Sequence, residues 1–213
     1  MKHSQAYLDD IFWGAAVAIF SLNHSLIGHG THPSGAPSLY ARYATGQNRC
    51  TEIINERMPD DWPGMMKWLD HQEQEGRKNT RVIDKVVVAL PLELTHEQNL
   101  SLLLNFCERM TERRASCAAA VHDGPKGFDY PHANIIFRDR GPETSKRVML
   151  TTERGSTEQF REGWEQEANI SLEKAGHEVR IDRRSLADQG IDREPQLHVA
   201  PASEARVRKE PRI

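Results

Sequence analysis

CAAAVHDGPKGFDYPHANIIFRDR, residues 117–140, decides how this chain is built. Two short runs, CAAAVH (117–122) and ANIIFRD (133–139), have the small, β-branched and aromatic make-up of strands. The Gly/Pro-rich segment between them is long enough for a hairpin loop and too short for the crossover that a parallel pair requires. The runs are therefore read as neighbouring antiparallel strands. Side chains alternate faces along a strand, so Ala133, Ile135 and Phe137 share one side while His132, Asn134, Ile136 and Arg138 share the other. His122 ends the first strand, and the hairpin brings it beside His132. Two neutral imidazoles and an amide oxygen then converge, a donor set suited to Mg2+ or Mn2+ with open positions for phosphate oxygens and water. Zinc would ask for a softer, closed set. Histidines at strand ends are also ordinary surface residues, so spacing alone leaves both readings open.

Outward from this hairpin, AIFSLNHSLI (18–27) reads as a first strand, and SLYARYAT (38–45) starts a short helix after a loop rich in Gly, Pro and Ser. The polar connector that follows holds one helical turn region around Met65–Gln72. The β-branched run in RVIDKVVVALP predicts a strand over 82–89, ended by Pro91. Thr95-His-Glu-Gln98 is a capping box, and Leu100, Leu103, Leu104 and Cys107 after it form a core-facing helical stripe. Ser156-Thr-Glu-Gln159 repeats the capping pattern ahead of Phe160, Trp164, Ala168, Leu172 and Ala175, with Gly176 as the helix stop. HEVRID (177–182) reads as a last short strand. The fold expected is α+β, a single central antiparallel β-sheet with helices packed on one side.

With 28 Lys and Arg against 31 Asp and Glu, the net charge of −3 excludes a global attraction to nucleic acid. Any polyanion contact must use local cations, and the candidates are Arg77, Lys78 and Arg81 before the strand at 82 and Arg180, Arg183 and Arg184 in VRIDRRS. Each cluster reads equally as a solvated edge. Trp62 and Trp68 are candidates for stacking on bases, whereas Trp164 sits on the apolar helix stripe and belongs to the core. Three cysteines without CxxC spacing point to reduced thiols. The longest N-terminal apolar run, IFWGAAVAIF, is only ten residues and follows Asp9 and Asp10, which argues against a membrane span or export signal. A cytoplasmic protein is expected.

Three further stretches carry a resemblance. LEKAGHEVRIDRRSLADQGIDREPQLHVAP (172–201) has a long and specific residue order, VVVALPLELTHEQN (86–99) forms a strand–turn–helix segment, and GHGTHPSGAPSLYARYATG (28–46) contains two tyrosines. Together they resemble the MobA/MobL relaxases, plasmid mobilisation endonucleases of the HUH class. The resemblance implies a relaxase domain over 18–201, with an N-terminal extension at 1–17 and a charged tail at 202–213. It further implies a tyrosine that attacks single-stranded DNA at a plasmid origin of transfer, a divalent metal, and mobilisation accessory proteins as partners. The nucleophile's counterpart is Tyr43, with Tyr40 one helical turn earlier as runner-up. The metal residues correspond to His122, His132 and Asn134, the last standing where the family's P-H-x-H pattern has a second histidine. A carboxylate often precedes the family's A-L-P turn, and in Asp84-Lys85-Val86-Val87 only Asp84 could serve as base or support. Arg42 and Arg138, flanking the tyrosine and the metal residues, join the DNA-binding candidates. Two other readings share these residues: a DNA-binding relaxase descendant that no longer cuts, and a metallohydrolase of small phosphoesters.

Overall fold

The computed structural model describes residues 18–46, 50–122, 131–142, 146–149, 151, 154–185 and 187–190. The extension at 1–17 and the tail at 202–213 lie outside them. Five strands form one sheet: β1 (Leu22–Gly28), β2 (Glu52–Glu56), β3 (Arg81–Ala89), β4 (Cys117–His122) and β5 (His132–Phe137). Their order is β1-β3-β5-β4-β2, and every neighbouring pair is antiparallel. The β4–β5 hairpin is paired from Cys117 opposite Phe137 to His122 opposite His132. Four helices accompany the sheet among the described residues: α1 (Ala36–Thr45), α2 (Trp62–Gln74), α3 (His96–Thr111) and α4 (Ser156–Lys174).

Helices cover both faces of the sheet, not one as the sequence suggested. Val86, Val88, Cys117, Ala119, Val121, Ala133, Ile135 and Phe137 pack with α3 and α4. Ile83, Ala118 and Ile136 pack with Ala41 and Ala44 of α1 and with Met65 and Leu69 of α2. The physical reason is visible in the strands: all six residues of β4, and all of β5 after His132, are buried. A strand wetted on one side would alternate apolar and polar residues, whereas these runs are almost continuously apolar.

Local chemistry explains most boundaries. The Thr95–Gln98 capping box forms in both directions, with Gln98 N donating to Thr95 Oγ1 at 3.3 Å and Thr95 N donating to Gln98 Oε1 at 2.8 Å. The second capping pattern does not form: Gly155, at φ 93°, occupies the N-cap and no side chain caps α4. Its C-terminus closes in a Schellman motif, with Gly176 at φ 83° and His177 N donating to Leu172 O at 2.9 Å. The buried stripe of α3 is Leu102, Leu103, Phe106 and Cys107, rotated from the predicted one, which leaves Leu100 and Leu104 at the margin. Helix α2 is longer than its predicted turn because Asp61 caps it, accepting from Gly64 N at 2.6 Å.

Two elements depart from expectation. Strand β2 was not predicted, because its only apolar residues, Ile53 and Ile54, sit between charged and polar neighbours on a sheet edge. Residues 177–182 form no strand; they run as a strap along α4. There Asn169 brackets the Ile181 peptide, accepting from Ile181 N at 2.8 Å and donating to Ile181 O at 3.0 Å. A side-chain amide thus does the work of a partner strand. Past Arg183 the chain forms a second compact unit, described only to Gly190. Among the described residues no helix is long and apolar enough to cross a membrane.

The α3–α4 side is centred on aromatic rings. Phe106 meets Trp164 edge-on at 5.2 Å and Phe137 at 6.0 Å. Trp164 is fully buried, as the helix periodicity implied. Trp164→Ala is expected to cost about 3–5 kcal/mol, read as a lower urea midpoint with unchanged slope.

Candidate active site

The face of the sheet beneath α1 gathers the candidate metal residues. His122 and His132 stand directly opposite each other across the β4–β5 ladder, with rings nearly parallel (17°) and centroids 5.3 Å apart. Asn134, two residues along β5, lies on the same face and is 5% exposed. His122 Nε2 is 2.9 Å from the carbonyl oxygen of Ala44. A carbonyl only accepts, so Nε2 carries the proton and the ring's remaining lone pair is on Nδ1. Metal-bound histidines are commonly held this way, with the second ring nitrogen donating to a backbone carbonyl. Two nitrogen donors, one oxygen donor and this backbone tether fit a divalent cation. Among the described residues no three His, Cys, Asp or Glu cluster, so a cation held here would need the Asn134 amide oxygen as its third protein ligand.

The same hydrogen bond fastens α1 to the sheet. Ala41 and Ala44 on the helix face Ala118 and Ala120 on β4, all 1% exposed or less. Small side chains on both elements let the Ala44 carbonyl reach His122. Gly46 follows the helix in extended conformation, and only glycine fits there, because a Cβ would lie 2.4 Å from the Arg42 carbonyl oxygen. At the other end, the Glu73 carboxylate of α2 accepts from Gly35 N at 2.8 Å, where the helix dipole favours negative charge. His29 Nε2 donates to the Glu73 carbonyl at 2.8 Å.

The two tyrosines of α1 take different environments. Tyr40 turns inward, and its hydroxyl donates to Asn134 Oδ1 at 3.0 Å. Burial, and secondarily the neighbouring Tyr43, push its pKa well above the ordinary tyrosine value. Tyr43 is 52% exposed, with its ring 6.1 Å from that of Tyr40. Both belong to the helix that sits over the histidine pair, so the predicted nucleophile and metal residues share one side of the molecule.

Asp84 does not join them. It pairs with Phe137 across β3–β5, and residues so paired share a face, so Asp84 points to the α4 side. There it is 1% exposed and forms an ion pair with Arg81. His24 Nε2 lies 2.8 Å from Asp84 Oδ1, and Thr151 Oγ1 donates to Asp84 Oδ2 at 2.9 Å. This corrects the assignment of Asp84 as a base. The β3 residue that faces the site is Lys85, opposite Ile136, with Nζ 4.8 Å from the centroid of the Tyr40 ring. Sequence reasoning missed Lys85, because β3 parity is assigned only once its partners are known. Ala44 and Glu73 were missed too; one acts through its backbone and the other through a distant helix end.

The predicted DNA-binding cations divide in the same way. Arg81 is committed to Asp84 and to the Thr151 carbonyl. Arg138 is 5% exposed, donates to the Val82 carbonyl at 3.2 Å and lies over Trp68, and burial lowers its pKa. Arg183 is spanned by Glu158 and Glu165, each at 2.7 Å. Arg180 donates to the carbonyls of His177 and Val179 and lies 3.7 Å from Glu173. All four are engaged within the protein, Arg81 and Arg138 behind a buried surface and Arg180 and Arg183 at partly exposed positions. Arg42, Arg77 and Lys78 are exposed, and Arg184 lies in the second unit. Of the other histidines, His24 lies against Phe160 on the α4 side, with ring centroids 4.6 Å apart and planes tilted by 49°, and His32 Nδ1 lies 2.9 Å from Thr31 Oγ1.

The helix-covered antiparallel sheet is similar to solved structures, among them a conjugative relaxase. A structure described as the molecular basis of vancomycin resistance transfer in Staphylococcus aureus aligns over 79% of this chain and 100% of that one, with a TM-score of 0.59 and 20% identity. The metal-bound complex of the conjugative relaxase TrwC with oriT DNA aligns over 89% and 90%, with a TM-score of 0.52 and 11% identity. The sequence model of the MobA/MobL family matches residues 56–148 and 139–209, and the chain belongs to that family. Mobilization protein A of Escherichia coli is 30% identical over 182 residues, 75% of this chain and 25% of that protein. The 43 kDa relaxation protein of Salmonella typhimurium is 28% identical over 202 residues, 77% and 54%. The chain thus spans a quarter to about half the length of these relatives.

Two measurements check the environments described. Asp84→Ala leaves Arg81 buried without its partner and is expected to cost about 3–5 kcal/mol in chemical denaturation. In an alkaline titration followed at the phenolate band, Tyr40 should ionise above the ordinary tyrosine range, and Tyr40→Phe should remove that late step. The sign for stability follows: a raised folded pKa means this contribution is intact below about pH 10 and is lost as pH climbs towards the folded value.

Proposed function

We propose that this chain is a strand-specific DNA nicking and rejoining module that acts in the cytoplasm on single-stranded DNA at a plasmid origin of transfer. One observation carries the reading: the tyrosine helix is tied to the donor face by the His122–Ala44 and Tyr40–Asn134 hydrogen bonds. Membership of the MobA/MobL family and relatives named for mobilisation and conjugal transfer support it.

Tyr43 is the nucleophile in this reading. Its side chain is 52% exposed and within reach of a strand laid along α1, whereas the Tyr40 side chain turns inward to Asn134. The Tyr43 oxygen bonds to the scissile phosphorus and gives up its proton. The bond from phosphorus to the 3′-oxygen breaks, and that oxygen takes a proton and leaves as a 3′-hydroxyl. The phosphotyrosyl link keeps the energy of the phosphodiester, so attack by a 3′-hydroxyl reverses the step and rejoins the strand. His122, His132 and Asn134 would hold Mg2+ or Mn2+, which supplies charge neutralisation at the non-bridging phosphate oxygens. Lys85 adds a positive charge on the same face. Arg42, Arg77 and Lys78 supply phosphate contacts that position the strand without reading its sequence. Mobilisation accessory proteins are the partners this activity implies.

The test incubates the protein with single-stranded oligonucleotides from its own element's transfer origin and Mn2+. A covalent adduct should appear on denaturing gels with the wild type and disappear with Tyr43→Phe. His132→Ala should abolish nicking while changing DNA affinity less than about threefold, because phosphate contacts dominate binding. Binding without any adduct would instead mark a relaxase descendant that no longer cuts. Turnover of small phosphoesters, indifferent to Tyr43→Phe, would mark a metallohydrolase.

A further inference from the structure

The donor set contains one asymmetry. An imidazole ligand can be tethered through its second nitrogen, as His122 is by Ala44. An amide has two ends of similar shape and opposite character: its oxygen can bind a cation and its NH2 cannot. Asn134 sits on a buried face, so a half-turn about its last torsion would present the wrong end without any change of packing. Something must choose the orientation.

We propose that Tyr40 makes that choice: it is a positioning residue whose hydroxyl holds the Asn134 amide with its oxygen on the cation side. This rests on the reading of His122, His132 and Asn134 as cation ligands. The Tyr40 hydroxyl donates to Asn134 Oδ1 at 3.0 Å, and an amide oxygen has a second lone pair left for a cation. The reversed amide would ask the phenol oxygen to accept instead. The phenol proton would then lose the acceptor that it has on this buried face. The ring itself is held between Lys85 on β3 and Tyr43 one turn along α1, so the hydroxyl has little freedom to leave. The same helix therefore carries an exposed tyrosine for chemistry and an inward one for orientation.

The experiment measures Mn2+ affinity from the paramagnetic resonance signal of the free ion, on wild type, Tyr40→Phe, Asn134→Asp and the double variant. A carboxylate presents an oxygen in either orientation, so it needs no such guide. Tyr40→Phe should weaken Mn2+ binding by about tenfold or more in the wild-type background, the range seen for lost outer-shell partners. In the Asn134→Asp background the same change should weaken it by less than about threefold. Lys85→Gln should act in the same direction as Tyr40→Phe but more weakly, and it supplies the comparison if Tyr40→Phe does not fold. Equal affinity of wild type and Tyr40→Phe overturns the orienting role. An equal loss in both backgrounds also overturns it, since a general packing defect would behave that way. A wild type that binds no Mn2+ overturns the cation reading itself, and this inference with it.

Discussion

The hydrogen bond from His122 to the Ala44 carbonyl is the contact on which the organisation of this protein turns. It joins the last residue of β4 to the last turn of the tyrosine helix, 78 residues earlier in the chain. It forms only because alanines on both sides bring helix and sheet together, with Ala41 and Ala44 against Ala118 and Ala120. Larger residues at these positions would lift α1 off the sheet and carry both tyrosines away from the histidines. The small side chains of CAAAVH therefore have a mechanical purpose: they set the height of the helix above the site.

The two faces of the sheet divide the work. The α3–α4 side is closed by aromatic packing and by a buried polar network in which Asp84 binds Arg81, His24 and Thr151. A buried ion pair of this sort is a modest source of net stability, but loss of one partner is costly. The α1–α2 side is more polar and leaves His132, Lys85 and Tyr43 partly open to solvent. Rigid packing behind and accessible groups in front suit a site that must keep its geometry while a flexible polymer is laid across it.

Much of the fold was legible. Strands β3, β4 and β5 announced themselves by β-branched and small apolar runs, α3 by its capping box and α4 by Phe160, Trp164, Ala168 and Leu172 at helical spacing. The convergence of His122, His132 and Asn134 on one face followed from strand alternation and the short hairpin connection. Strand β2 was illegible because an edge strand needs only one neighbour and few apolar residues. The strap at 177–182 resembled a strand because its extended backbone is satisfied by the Asn169 side chain, which periodicity cannot reveal. The partners of the arginines were illegible for a related reason. Arg183 and Arg138 look like free cations in sequence, and the groups that engage them, Glu158, Glu165 and the Val82 carbonyl, are far away along the chain.

Local order, then, was determined by the residues themselves for the central strands and the two long helices, and with it that two histidines and an asparagine share one strand face. Those properties depend on backbone preferences and on a two-residue period, both contained within a few neighbouring positions. Only the tertiary structure decided that Asp84 faces away while Lys85 faces in, that helices cover both sides of the sheet, and that Tyr40 rather than Tyr43 touches Asn134. These depend on which strand lies beside which, and in what register. A shift of one residue exchanges every side chain between faces, and nothing within a single strand records its neighbour's register.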